Sequence, residues 1–375
     1  MKQTFIIKQK IINSLLSSMQ PICSKRTPLD STTGIMFQIG LKEIILKSTD
    51  LEISLQYSAP IIDSNIGETI TILVPGKRIF DLVKELDDDL FFIIKEKEIS
   101  IQAGGAKVQL NIKDVEMFPD FPEKIENLLH LESSFVKNIL DKINFIIPQN
   151  NPNSSLNGLY LEIGPDGLVA TATDGHCLAQ IKNDIYKLAQ KKSWLIPRRA
   201  VLELKKILDS ATDESIFLGT CGNQLVFSGE SFNFFTKLLT DKFPQYEAIL
   251  SKQDFQSAKI DRNNFIKTIR RSACLLSGHF IPTTFIFETD YVAVSLVNKE
   301  VGTFQDRLKI ADYEGDVLQI RFYAPYLLSG LQNFTQNELQ FYLKSFERPI
   351  IFETKENNVC FSYLVMPVSP TNNQN

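Results

Sequence analysis

Histidine is scarce in this chain, with three residues, His130, His176 and His279, far apart in sequence. That scarcity argues against a histidine-rich metal centre, and no metal or cofactor is expected. The five cysteines (Cys23, Cys177, Cys221, Cys274 and Cys360) are odd in number and form no CxxC pair. Such usage excludes a disulfide framework or a zinc ribbon and fits a reducing cytoplasm. No run of 18 apolar residues exists, so no membrane-spanning helix and no membrane partner are expected. Catalytic signatures are missing too: there is no GxSxG, no Walker loop and no HExxH, and the "GGAK" at 104–107 lacks the spacing of a phosphate loop. A formal charge of −4 speaks against a protein that grips nucleic acid over its whole surface.

What is present is an ordinary globular composition, 43% hydrophobic and 22% charged, over 375 residues, which is too long for one comfortable core. The opening "MKQTFIIKQKIINSLLSSMQ" mixes lysines among apolar residues and predicts a strand followed by an amphipathic helix, not a signal peptide. Faint internal repeats organise the rest. "VPGKRIFDLVKEL" from Val74, "IPRRAVLELKKIL" from Ile196 and "FYAPYLLSGLQNF" from Phe322 each lead from a strand, through a proline near the first turn, into a helix. Their prolines, at 75, 197 and 325, are 122 and 128 residues apart. In the first, Ile79, Leu82, Val83 and Leu86 give the helical stripe. An upstream helix recurs from Lys8, Ser133 and Asp261, with Ile11, Phe135 and Phe265 as equivalents 124 and 130 residues apart.

Between and after these helices the sequence alternates in strand fashion and breaks at turn residues such as "GPDG". "STDLE" at 48–52 and "ATDGH" at 172–176 fall at the same point of their units, and "MFPDFP" from Met117 and "KFPQYEAIL" from Lys242 close two of them. The repeats predict an α+β protein of three domains, 1–124, 125–252 and 253–375, each with two helices packed on antiparallel sheet.

Charge is unevenly spread. Residues 262–271, "RNNFIKTIRR", carry +4, and residues 198–208, "RRAVLELKKIL", carry +3, so the remainder of a −4 chain is acidic. In the helix from Asp261, Phe265, Ile269, Ala273 and Leu276 are expected on one face and Lys267, Arg270 and Arg271 on the other. A segregated basic surface in an acidic protein suits a polyanion that is surrounded without being tightly gripped.

The segment "TATDGHCLAQ" at 171–180 sets Asp174, Gly175, His176 and Cys177 side by side. One reading is a catalytic centre, but a nucleophile needs a base and an orienting group within reach, and the sequence offers no second histidine nearby. The other reading is a turn and wall in a binding surface.

"ATDGHCLA", "FPQYEAIL", "IPRR" and the late "YLVMP", in one chain of triplicated architecture, resemble the bacterial DNA polymerase III beta subunit family of replicative sliding clamps. The resemblance spans the chain and implies a non-catalytic processivity factor. It implies a homodimer closed into a ring of six similar domains, with double-stranded DNA threading it without sequence specificity. By similarity, duplex contacts fall to Lys25, Arg26, Lys77, Arg78, Arg198 and Arg199, with Gln149 in a polar loop; Lys137, Arg270 and Arg271 are added from charge alone. The subunit contact would pair Val108 and Leu110 with Leu275 and Leu276. The same likeness implies a hydrophobic pocket for linear peptides of the DNA polymerase III alpha subunit, clamp-loader subunits and other replication and repair proteins. Its residues would be Leu156, Thr173, Gly175, His176, Cys177, Leu178, Pro244, Ile249, Phe280 and Tyr326, with Val365, Met366, Pro367 and Val368.

This sequence departs from the family pattern at that pocket. Cys177 stands where Arg is usual, Ala248 where a basic residue is frequent, and "VSPTNNQN" continues as a polar tail expected to be disordered. "RTPLDSTTGIMF" also replaces the usual apolar "TIPIL" stretch. A monomeric peptide-binding scaffold that has lost the ring is the remaining alternative.

Overall fold

Short strand-forming segments, all paired antiparallel, alternate with amphipathic helices to build this molecule. The computed structural model describes residues 2–23, 29–121, 124–278 and 280–368. Lys25, Arg26 and the tail after Val368 lie outside the described residues.

One element order recurs three times. The first repeat runs β1 (Gln3–Lys8), α1 (Gln9–Met19), β2 (Gly34–Ile39), β3 (Glu43–Thr49), β4 (Ile53–Pro60), a two-residue β5 (Asp63–Ser64) and β6 (Ile70–Pro75). It closes with α2 (Gly76–Lys84), β7 (Asp89–Ile94), β8 (Glu98–Ala103) and β9 (Ala106–Asn111). The second opens with β10 (Glu126–Glu132), α3 (Ser133–Ile143), β11 (Gly158–Gly164), β12 (Gly167–Thr173), β13 (Cys177–Asn183) and β14 (Lys192–Pro197). It ends with α4 (Arg198–Ser210), β15 (Ser215–Cys221), β16 (Gln224–Ser228) and β17 (Phe232–Lys237), and a one-turn α5 (Glu247–Leu250) follows. The third comprises β18 (Gln256–Asp261), α6 (Arg262–Ala273), β19 (Thr283–Phe287), β20 (Tyr291–Asn298), β21 (Gly302–Ala311) and β22 (Leu318–Phe322). Its last elements are α7 (Ala324–Leu331), β23 (Glu338–Leu343), β24 (Ile350–Glu356) and β25 (Val359–Val365).

The helices follow their apolar stripes. In α2, Ile79 and Val83 are buried while Lys77 and Arg78 are exposed. In α6, Phe265, Ile266 and Ile269 are buried, with Lys267, Arg270 and Arg271 outward, and Asp261 caps the helix by accepting from Asn264 N at 2.7 Å. Two predicted stripe positions, Leu86 and Leu276, fall beyond the helix ends at Lys84 and Ala273. Only Pro325 sits in a first helical turn; Pro75 and Pro197 instead close strands β6 and β14, where their fixed φ and missing donor are tolerated.

The chain divides into two compact units, residues 1–137 with 199–238, and residues 138–198 with 239–375. The first holds a five-stranded sheet, β5-β1-β7-β8-β9, and an eight-stranded sheet, β10-β15-β16-β17-β4-β3-β2-β6. The second holds one twelve-stranded sheet, β14-β11-β12-β13-β25-β24-β23-β18-β21-β20-β19-β22. Each unit contains one junction between repeats, and the two junctions obey one rule. The last strand of a repeat pairs with the third strand after the first helix of the repeat before it: β17 with β4, and β25 with β13. Among the described residues, no helix is long and apolar enough to cross a membrane.

Candidate functional site

The "TDGHC" segment is the turn between β12 and β13. One carboxylate oxygen of Asp174 accepts from His176 N at 2.8 Å and Cys177 N at 2.7 Å, and Thr173 Oγ1 donates to Cys177 O at 2.6 Å. Gly175 takes φ +94°, a conformation that penalises any residue with a Cβ. The same bonds recur one repeat earlier. There Asp50 accepts from Glu52 N at 2.9 Å and Ile53 N at 2.8 Å, with Leu51 carrying φ +76°. The motif is therefore a repeated structural turn, built because an aspartate side chain satisfies two amides that a hairpin of this length leaves open.

Chemistry at this turn is unfavourable. Burial, followed by the Asp174 charge, drives the Cys177 thiol far above its usual range, so it is no thiolate near neutrality. Asp174 spends its oxygen on backbone amides. The His176 ring stacks on Tyr326, with centroids 5.3 Å apart at 16°.

Register decides which neighbouring side chains can meet. Leu178 pairs with Leu364, and Leu364 with Ile351, which puts all three on one face of the sheet. There they form a buried cluster with Tyr246, flanked by half-buried Phe243, Leu250, Tyr160, Tyr342 and Met366. Residues 242–250 thus lie as a strap over this face. Phe243 stacks on Tyr160 (4.8 Å, 8°), and the Tyr246 hydroxyl donates to buried Glu162 at 2.7 Å. Of the strap residues expected from the sequence, Pro244 and Ile249 are exposed on it.

Cys177 and Val365 correct the sequence assignment. They pair with each other on the opposite face, beside Tyr363, and are only 2% and 0% exposed. A pleated strand cannot present adjacent residues to one surface, so Leu364, absent from the sequence-derived set, and not Val365, shares the face of Leu178. The alternation was readable in "YLVMP", where Leu364 and Met366 share parity. Tyr246, Phe243 and Leu250 were inside the quoted "FPQYEAIL" phrase but had no visible partner in sequence.

Beyond β25 the chain bridges two elements: Met366 N donates to His176 O at 2.9 Å, and Val368 N to Arg321 O at 2.8 Å. Val368 lines a groove of about 180 Å³ with Gln319, Ile320, Arg321 and Phe346. A run of rings borders this region: His176 on Tyr326, Tyr326 edge-on to Tyr323 at 5.1 Å, and Tyr323 stacked on Phe280 at 4.5 Å. Leu156 is buried, with its Cδ1 3.8 Å from where a Cβ on Gly175 would sit. The structure therefore gathers Leu156, Thr173, Gly175, His176, Leu178, Phe280, Tyr326 and Met366 around one apolar face and its border. Such a face binds by burying apolar side chains, with the soft Met366 able to adapt to their shape.

The basic residues divide into free and engaged groups. Arg198 Nε donates to Ile147 O at 2.9 Å, Arg199 pairs with Asp50, and Arg271 reaches Asp306 at 3.2 Å. Lys206 pairs with Glu203, already counted in the +3, and Lys205 pairs with Asp209, which lies past the counted stretch but within α4 and so lowers the helix's charge. Among the described residues, Lys77, Arg78, Lys137 and Arg270 have no acidic partner within 4.0 Å, and Gln149 is exposed.

Among the strand edges left open in the described residues are those of β9 and β21. β9 ends its sheet, with Val108 and Leu110 half-buried along it. β21 pairs with β20 throughout but with β18 only at residues 310 and 311. Leu275 and Leu276 are half-buried, and Leu275 O accepts from Asn298 Nδ2 at 2.6 Å, which ties them to the β20–β21 turn.

Comparison with known proteins gives this geometry a context. Three family models match in succession: DNA polymerase III beta subunit N-terminal domain at residues 3–122, central domain at 130–245 and C-terminal domain at 247–369. The beta sliding clamp of Staphylococcus aureus is 27% identical over 373 residues, 97% of this chain and 98% of that one. A Pseudomonas aeruginosa sliding clamp solved with griselimycin bound superposes with TM-score 0.89 at 22% identity, covering 99% of this chain and all of that one. The Thermotoga maritima beta subunit gives 0.88 at 18%, over 98% of this chain. With consecutive models spanning nearly its whole length, this chain belongs to the DNA polymerase III beta subunit family.

Proposed function

We propose that two copies of this chain close head to tail around duplex DNA as a sliding clamp. The clamp tethers the DNA polymerase III alpha subunit, clamp-loader subunits and other replication and repair proteins through the apolar face under the 242–250 strap. The junction rule carries this reading. Two of the three last-strand to third-strand pairings are made within the chain, β17 with β4 and β25 with β13. The third would join β9 to β21, and both edges are open. Antiparallel pairing of β9 with residues 302–309 of a second copy satisfies both, twice, and closes the assembly. Val108 and Leu110 then face the Leu275 and Leu276 region.

The domains divide near residues 124 and 252, in keeping with the successive family matches. Lys77, Arg78, Lys137, Gln149, Arg198, Arg199, Arg270 and Arg271, with Lys25 and Arg26, supply the contacts to DNA. They act on phosphates, which carry no sequence information, so affinity stays weak and enclosure does the holding. The protein is a processivity factor of the cytoplasm and turns over no substrate. Light scattering at micromolar concentration tests the closure: a mass near twice 42.6 kDa is expected, and a stable monomer overturns the reading.

A further inference from the structure

The strap over the apolar face is fastened on both sides of Ile249 and Leu250, at Tyr246 and at Lys252, by polar contacts that the docking role does not itself use. At one end the Tyr246 hydroxyl donates to Glu162 at 2.7 Å, and Lys191 pairs with the other oxygen of the same carboxylate at 2.6 Å. Glu162 is buried, its side chain 8% exposed, so this is a charge held inside the sheet face by Tyr246 and Lys191, with the Tyr160 hydroxyl donating to it at a longer 3.4 Å. At the other end Lys252 reaches Glu353 at 2.6 Å and lies 4.4 Å over the Tyr342 ring, while Ser362 donates to the same carboxylate oxygen at 2.9 Å. Ile249 and Leu250 lie between the two fastenings, and Pro244 lies just before the first.

The chain contains its own control. "MFPDFP" is the same strap one repeat earlier, where Phe118 packs on Met36 just as Phe243 stacks on Tyr160. The pairings Gly34 with Pro75 and Gly158 with Pro197 set the two sheets in register, which makes Gln38 the counterpart of Glu162. Phe121, with no hydroxyl, stands in the place of Tyr246. The earlier strap lies against Met36 and Leu73 without any hydroxyl–carboxylate bond. A strap therefore needs no such bond to lie on its sheet.

We infer that Glu162 and Tyr246 are positioning residues for partner docking, a latch that fixes the strap and so sets where Pro244, Ile249 and Leu250 meet an incoming apolar side chain. The inference rests on the docking role proposed above. A strap free to lift leaves the apolar cluster of Leu178, Leu364 and Ile351 intact but lets its outer wall drift, and an anchored side chain then loses contact on one side. The carboxylate also disfavours any wall position that leaves it buried without its donor.

The test uses the full-length protein and measures its affinity for the purified DNA polymerase III alpha subunit, together with hydrogen exchange over residues 246–255 and the dimer mass. Tyr246→Phe and Glu162→Leu are each expected to weaken binding by about tenfold and to speed exchange in that segment, with dimer mass unchanged. The two together should weaken it no further than either alone, because both break one bond. Glu162→Gln keeps an oxygen that accepts from Tyr246 and should restore affinity to near that of the unaltered chain, which a general loss of stability would not predict. Unaltered protein that binds, with Tyr246→Phe and Glu162→Leu binding equally well, overturns the latch alone. Unaltered protein that fails to bind the alpha subunit overturns the docking role, and the latch with it.

Discussion

Asp174 earns its place through backbone geometry, since its oxygen holds the amides of His176 and Cys177 at 2.8 and 2.7 Å. Asp174→Ala should lower unfolding free energy by about 2 kcal/mol, the usual range for losing charged hydrogen bonds, as read from a denaturant titration. Nothing at the turn offers a reaction to lose, so any measurable hydrolase turnover abolished by this change would revive the catalytic reading. The thiols supply a second prediction. Burial pushes Cys23 up to about 12 and takes Cys177 higher still, whereas Cys274 is exposed. At mildly alkaline pH a thiol reagent should modify exposed Cys274 quickly and Cys23 and Cys177 only after unfolding. The sign for stability follows. Because the folded state keeps these protons while the unfolded chain releases them near its ordinary value, the contribution is present at neutral pH and falls as pH rises above that value. Mass spectrometry of the labelled protein checks the order, and prompt labelling of Cys177 in the native protein would contradict its placement. At this scale the sequence conveyed residue types well but facing poorly. Cys177 directly follows the TDGH phrase, yet strand parity turns its side chain away from the apolar face, and parity becomes certain only once the pairing of Cys177 with Val365 is known.

Elements were more legible than their pairings. Helix positions followed from stripes such as Phe265, Ile266 and Ile269, because a helix is decided by neighbours three and four residues away. Pairings such as β25 with β13 join residues nearly 190 apart, and no local pattern encodes them. The strap shows the same divide: its phrase was visible as a repeated closing motif, while the sheet face beneath it, with Leu364 and Ile351 at its centre, was not. The segment after β25 belongs to this scale. Met366 packs on the apolar cluster, and Met366 N and Val368 N are bound to His176 O and Arg321 O. Deleting residue 366 onward removes those contacts without touching β9 or β21. Capture of the alpha subunit should therefore fall by at least about a hundredfold, in line with losing a central anchor, while dimer mass stays constant. Retained affinity in the truncated protein would move the docking face elsewhere.

For the whole molecule, the question is what holds DNA. The chain carries 40 basic and 44 acidic residues, and several arginines near the proposed path are committed to protein partners, Arg199 to Asp50 and Arg271 to Asp306 among them. Lys77, Arg78, Lys137 and Arg270 have no such partner among the described residues, and each phosphate they neutralise releases counterions and makes affinity fall with salt. Binding by contact alone would thus be weak and salt-sensitive on any DNA. The proposed closure of β9 onto β21 in two places changes the problem, since escape would then require a strand junction to open or a DNA end to pass. Loaded onto closed circular DNA, the protein should stay bound through a wash at about 0.5 M salt, where the screening length is near 4 Å and phosphate contacts are largely lost. Cutting the circle once should release it within minutes under the same salt, because the ends now offer a way out that needs no strand separation. Gel filtration of the two DNA forms reads the difference directly. Equal release from circle and linear form would mean that contact, and not enclosure, holds the duplex, and the open edges of β9 and β21 would then need another explanation.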